Sequence, residues 1–276
     1  YRAKANGKGR YHVFSLDDQS REQLQKRVYW KQKIEEALEN HLFVLYFQPI
    51  LNLNNNNIQH YEVLVRMRDP ATQEITLPGK FIEIAEEVGL IQSIDHYVLH
   101  HSIKKLGELQ KQGSKVEFAI NLSGAVVDTP VLLPYLKKLI KRFDVDPTAL
   151  IFEVTETVAV SNLYQAKLMM TAIKALGCRF SLDDFGVGFA SFNYMRELPI
   201  DIIKIDGIFI QNLDINKDDQ LFVKALIDVA KGLGRQTIAE YVENEAILHI
   251  LQRYGVDFAQ GFYIGKPQQD LLPESD

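Results

Sequence analysis

Between His41 and Gln260, runs of strand length alternate with helical patterns along the whole chain, and this alternation restricts the possible folds most. Strand-like runs fall at 41–50, 58–66, 115–122, 149–154, 178–183, 200–205, 236–240 and 256–260. Helical patterns fall at 81–112, with a break near Gly89, and at 131–142, 163–176, 190–196, 221–233 and 243–254. Only the first connection lacks a helix: Leu51 to Asn57 is too short for a crossover, so the first two strands run antiparallel. Eight strands alternating with helices fit an α/β fold, a modified TIM (β/α)8 barrel with an antiparallel first strand. A doubly wound open sheet is the runner-up, but no G-x-G-x-x-G follows the first strand.

A barrel collects its chemistry at the C-terminal ends of its strands. Side chains alternate along a strand, so Glu62, Leu64 and Arg66 share one face of the second. The third ends in Asn121, the fourth carries Glu153 with Thr155, and the fifth delivers Asp183-Asp184 ahead of two glycines. Lys204 and Asp206 follow on the sixth, Glu240 on the seventh and Gln260 on the last. Adjacent carboxylates in a poorly solvated place need a cation or a raised pKa, so Asp183-Asp184 proposes a metal site. Glu62, Asn121, Glu153, Asp183 and Asp184 all offer oxygen, which selects Mg²⁺ or Mn²⁺ over Zn²⁺, and four carboxylates suffice for two ions. Two such ions suit in-line displacement at phosphorus. Lys204 then orients the attacking water or stabilises developing charge, Glu240 takes a proton, and Arg66 grips a phosphate. The plainer alternatives are a structural ion pair between Glu62 and Arg66 and a strand-face pair between Lys204 and Asp206. His96 and His100, spaced by one helical turn, read as a solvated helix face.

A net charge of −5 offers no footprint for a DNA or RNA duplex but permits a small nucleotide. The lone cysteine, Cys178, lies in an apolar run, which excludes a disulfide framework and suits a reducing, cytoplasmic compartment. No apolar run reaches membrane-spanning length, so no membrane contact is expected of this chain, although a longer parent could be anchored.

The ordered motifs resemble the EAL-domain cyclic di-GMP phosphodiesterases. Q-P-I appears as Gln48-Pro49-Ile50, E-A-L-x-R as Glu62 to Arg66, A-E-E-x-G-L-I as Ala85 to Ile91, and N-x-S as Asn121 to Ser123. E-x-T-E appears as Glu153 to Glu156, D-D-F-G-x-G as Asp183 to Gly188, and K-I-D as Lys204 to Asp206. E-x-V-E is Glu240 to Glu243, and Q-G-Y/F is Gln260 to Phe262. The resemblance implies hydrolysis of one phosphodiester bond of cyclic di-GMP to linear 5′-pGpG. It implies a metal role for Glu62, Asn121, Glu153, Asp183 and Asp184, and a catalytic role for Lys204, Glu240 and Gln260, with Glu156 steadying the loop after Asp184. Gln48, Arg66, Asp206 and Glu243 contact the dinucleotide, and a homodimer forms through the loop and helix after Asp184. Where the family pattern has alanine, threonine, serine and glycine, this chain has Val63, Val187, Ala190 and Tyr241. None of these removes a ligand, so the resemblance implies an active enzyme, with an inert cyclic di-GMP receptor as the alternative.

Residues 1–14, which begin Tyr-Arg-Ala-Lys and include Gly7 and Tyr11, resemble the end of a GGDEF (diguanylate cyclase) domain. The expected organisation is that remnant, a linker helix over 15–40, the barrel over 41–268 and a tail over 269–276. Adjacent GGDEF and sensor domains in a parent chain follow from it.

Overall fold

The computed structural model describes residues 18–127, 129–186 and 192–272. The GGDEF-like stretch and the two loop departures Val187 and Ala190 lie outside them. Strands β1 (Phe43–Asn52) and β2 (Asn57–Arg68) form an antiparallel hairpin with a register shift after Ile50. From β2 the sheet continues in parallel through β4 (Glu117–Asn121), β5 (Leu150–Thr155), β6 (Arg179–Phe185), β7 (Ile202–Ile205), β8 (Gln236–Ala239) and β9 (Phe258–Gln260). β9 then meets β1 antiparallel, which closes an eight-stranded barrel like the TIM barrel. A two-residue strand, β3 (Ile75–Thr76), extends the sheet beyond β2 and was not legible as a strand in the sequence.

The longer helices cover the outside because they present an apolar stripe to the sheet. α1 (Asp18–Glu39) precedes the barrel, and α2 (Ile82–Glu87) and α3 (Ile91–Lys111) are separated at Gly89, whose φ of 76° breaks the helix as its position suggests. α4 (Gly124–Val127), α5 (Leu132–Phe143), α6 (Glu156–Ser161), α7 (Leu163–Lys174), α8 (Phe192–Glu197) and α9 (Gly207–Ile210) follow. α10 (Lys217–Gly232) and α11 (Glu245–Tyr254) complete the coat. The additional short helices start where a strand has just ended. Thr155 accepts a hydrogen bond from Val158 N to open α6, and Asp206 accepts one from Ile208 N at 2.7 Å to open α9.

Two expectations change. The linker helix, expected over 15–40, packs only in its second half: Ile34 is buried, whereas Leu24 and Val28, one to three turns earlier, are exposed. His96 and His100 are half-buried rather than solvated, lying edge-on to Tyr135 and Phe143, because α5 packs against α3. Cys178 is buried and free, and burial pushes its thiol up to about 12.

Candidate functional site

The parallel strands aim their last inward residues at one cleft of about 770 Å³ at the C-terminal end of the barrel. Lys204, on β7, stands at its floor with only 1% exposure. Its ammonium lies 2.9 Å from Glu240, 3.2 Å from Glu153 and Asp183, and 3.5 Å from Glu62. The alternative strand-face pair with Asp206 is therefore not made: Lys204 turns inward to four acids while Asp206 caps α9. Arg66 likewise forms no simple pair with Glu62. It donates to the Val65 carbonyl at 2.9 Å and lies 5.6 Å from the centre of the Tyr46 ring.

Glu62 is held from both sides. Asn121 Nδ2 donates to Oε1 at 2.8 Å and Gln260 Nε2 donates to Oε2 at 2.6 Å. Gln260 also donates to Gln48 Oε1 at 3.2 Å, and Gln48 in turn donates to the Gly265 carbonyl. These amides lie on β4, β9 and β1, so three strands fix one carboxylate. Glu156 is buried and faces away from the cleft, where Oε2 accepts from Gly186 N at 3.4 Å. That is a positioning contact on the turn after Asp184. Glu243 is exposed on the cleft wall with Asp206, Arg66 and Gln48.

Asp183 and Asp184 both line the cleft, although neighbours on a regular strand point to opposite faces. The β6–β7 register breaks between Leu182 and Phe185, and Asp184 has φ 55°. The irregularity turns the second carboxylate to the side of the first. The same device recurs at Glu240-Tyr241, where Tyr241 has φ 54° and both residues line the cleft. Left-handed backbone is tolerated by aspartate but strained for tyrosine, at a cost of about 1–3 kcal/mol. Neither left-handed residue is itself a glycine, although two glycines follow Asp184 and the family pattern has glycine at position 241.

Four carboxylates around one ammonium carry three negative charges in excess if all ionise. Burial, and then the other acids, pushes Glu153 well above its usual range. Burial raises Glu240 to about 7 against the pull of Lys204, with Asp183 and Glu62 adding to the rise. Burial and then Asp183 raise Asp184 as well. Burial would also raise Glu62, but Lys204 and the amides of Gln260 and Asn121 outweigh it and hold that group low. Burial would lower Lys204, yet Asp183, Glu153, Glu240 and Glu62 together hold it well above its usual value, so it stays charged.

The acids are thus short of positive charge. Single oxygens of Asp183, Asp184 and Glu240 come within 4.8 Å of one another, the separation of ligands around one ion. Glu153 Oε1 and Gln260 Oε1 are buried without a hydrogen-bond partner among the described residues. An all-oxygen set with unpaired acceptors and excess negative charge fits a hard divalent cation.

The family description "EAL domain" matches residues 31–267. The chain is 38% identical over 267 residues to the cyclic di-GMP phosphodiesterase PdeB of Shewanella oneidensis, an overlap covering 96% of this chain and 31% of that protein. It is 35% identical over 246 residues to the cyclic di-GMP phosphodiesterase PdeF of Escherichia coli, covering 89% of this chain and 32% of that one. The chain therefore spans about a third of the length of these curated relatives. Its fold matches the FimX EAL domain from Pseudomonas aeruginosa bound to c-di-GMP, with a TM-score of 0.82 and 32% identity over 87% of this chain and 97% of that one. With the family match spanning the barrel from α1 to the last strand, the chain belongs to the EAL-domain family.

Proposed function

We propose that this chain hydrolyses one phosphodiester bond of cyclic di-GMP to linear 5′-pGpG, with Mg²⁺ or Mn²⁺ as its cofactor and two ions in the full site. The observation that carries the reading is Lys204, buried beneath an open cleft within 4 Å of four carboxylates on four different strands. A structural ion pair needs one acid, and the surplus negative charge suits cations, which in turn would attract a phosphate. The names of PdeB and PdeF and the c-di-GMP bound to the FimX domain support the same substrate.

Glu62, Asn121, Glu153, Asp183 and Asp184 would hold the cations, with Glu240 beside them. Bound there, divalent cations supply Lewis acidity toward the phosphoryl oxygens and a more acidic attacking water. Lys204, fixed and charged, stabilises negative charge that develops on the phosphoryl group. Glu240, at the rim of the cluster, accepts a proton from the attacking water. Gln260 orients Glu62 while its own carbonyl stays available, and Glu156 holds the turn that carries Asp184. Arg66, Gln48, Asp206 and Glu243 line the wall where the dinucleotide backbone would run. Dimerisation through the segment after Asp184, and a GGDEF neighbour preceding α1, belong to the same proposal. Among the described residues no helix is long and apolar enough to cross a membrane.

Chromatography of cyclic di-GMP incubated with the protein at saturating Mg²⁺, and then Mn²⁺, tests the reading. Appearance of pGpG with wild type and its loss in Glu62→Ala is expected. Cyclic di-GMP left intact with both metals, but bound tightly, would make the chain a receptor instead.

A further inference from the structure

Tyr241 presents a cost without an evident structural return. Its backbone is left-handed, a conformation glycine adopts freely and a tyrosine does not. The residue remains 54% exposed, so burial does not offset the strain. One side of it lies against Gly207 at the start of α9, so closely that a Cβ on Gly207 would collide with the ring. The rest faces the cleft, whose wall it shares with Glu240, Asp206 and the exposed Phe262. A bare glycine beneath an aromatic ring beside a polar site lets the ring lie flat against the wall. A strained, exposed aromatic at the edge of a site is explained by a ligand that covers it.

We propose that the Tyr241 ring, seated on Gly207, is a stacking platform for one purine base of the cyclic dinucleotide. The inference rests on the phosphodiesterase reading above and adds a base-binding residue to it. The platform acts in binding: it gains contact when the nucleotide enters and keeps that contact through the chemical step, so it contributes to KM rather than to kcat. It is sequence-tolerant, since any purine offers a π-face, and the phenol oxygen is not required. Its partner in the fold is the missing side chain of Gly207, which ties the two positions together.

Steady-state kinetics on cyclic di-GMP, with thermal unfolding of the same samples, test it in wild type, Tyr241→Gly, Tyr241→Phe and Gly207→Ala. For Tyr241→Gly, KM is expected to rise about tenfold or more, the effect of losing one base stack. Its kcat should stay within about twofold, and its melting temperature should be unchanged or higher because the strained residue is gone. Tyr241→Phe should behave as wild type, and Gly207→Ala, which displaces the ring, should raise KM in the same sense. An unchanged KM in Tyr241→Gly overturns the platform alone, provided wild type turns over cyclic di-GMP. A Tyr241→Gly protein that fails to fold also overturns it, because the ring would then serve the fold. A wild type that neither binds nor hydrolyses cyclic di-GMP overturns the phosphodiesterase reading together with this one.

Discussion

Inside the barrel, Ile50, Ala119, Ile151, Ile202, Ile238 and Phe258 form an apolar layer. Two residues along the same strands stand Gln48, Asn121, Glu153, Lys204, Glu240 and Gln260. The pleat of period two stacks one layer on the other, so each strand supplies a floor residue and a site residue from one inward face. On β2 and β6 the lower position holds His60 and Ser181, beneath Glu62 and Asp183. The difference between the layers teaches why the acids shift as they do. A largely apolar floor solvates charge poorly from below, so the carboxylates share Lys204, take up protons or bind cations.

The comparison breaks most strongly at the upper layer's single cation. Lys204→Met should lower turnover by about 10²–10³-fold, as loss of one fixed charge at a phosphoryl site does. In chelator it should also destabilise the fold by about 3–5 kcal/mol, because four acids, two of them buried, lose their counter-charge. Divalent cation should restore part of that stability but not the turnover. Urea unfolding with chelator and with Mg²⁺ checks this, and a variant indifferent to chelator would show that the acids are solvated after all. The lower layer should respond the opposite way. Ile238→Ala opens a cavity beneath Glu240 and should cost about 2–5 kcal/mol of stability with KM for cyclic di-GMP little changed. Equal losses of stability and affinity would mean that the floor and the site are one unit.

Much of this layering was legible in the sequence because both its signals are periodic. Alternation gave the strands, and an acid, amide or lysine recurring at the end of every strand from the second onward gave the candidate residues, with Gln48 on the first strand coming only from the family resemblance. What the sequence did not show is local geometry. Asp184 and Tyr241 enter left-handed backbone without being glycine, so the turns that bring Asp183 with Asp184 and Glu240 with Tyr241 to one wall are not marked at the residues that make them. The short helices α4, α6 and α9 are each a turn or so, held by caps and tertiary contacts rather than by a stripe. The exposure of Leu24 and Val28 depends on where the barrel stops along α1, which spacing within the helix cannot reveal. The inward turn of Lys204 away from Asp206 depends on four other strands supplying acids at or just beyond their ends, a long-range fact absent from any local window.

His60 is, with Ser181, one of the lower layer's two polar residues and provides the finest test. It is buried with neither ring nitrogen hydrogen-bonded among the described residues, and its ring meets Phe258 edge-on at 5.9 Å. Burial, then Arg179 and Lys204, lowers its pKa from 6.5 to about 3. The folded protein therefore holds His60 neutral where the unfolded chain would bind a proton. Because the folded pKa lies below the unfolded one, the stability is complete above pH 6.5 and is lost as pH falls toward 3. Between pH 7 and pH 5 this one group should remove about 2 kcal/mol. His60→Leu keeps a similar volume in an apolar place, so its difference from wild type should grow by that amount on acidification, as read by urea unfolding at both pH values. If the two proteins lose stability in parallel, His60 is reached by water, and the floor beneath the acids is not dry.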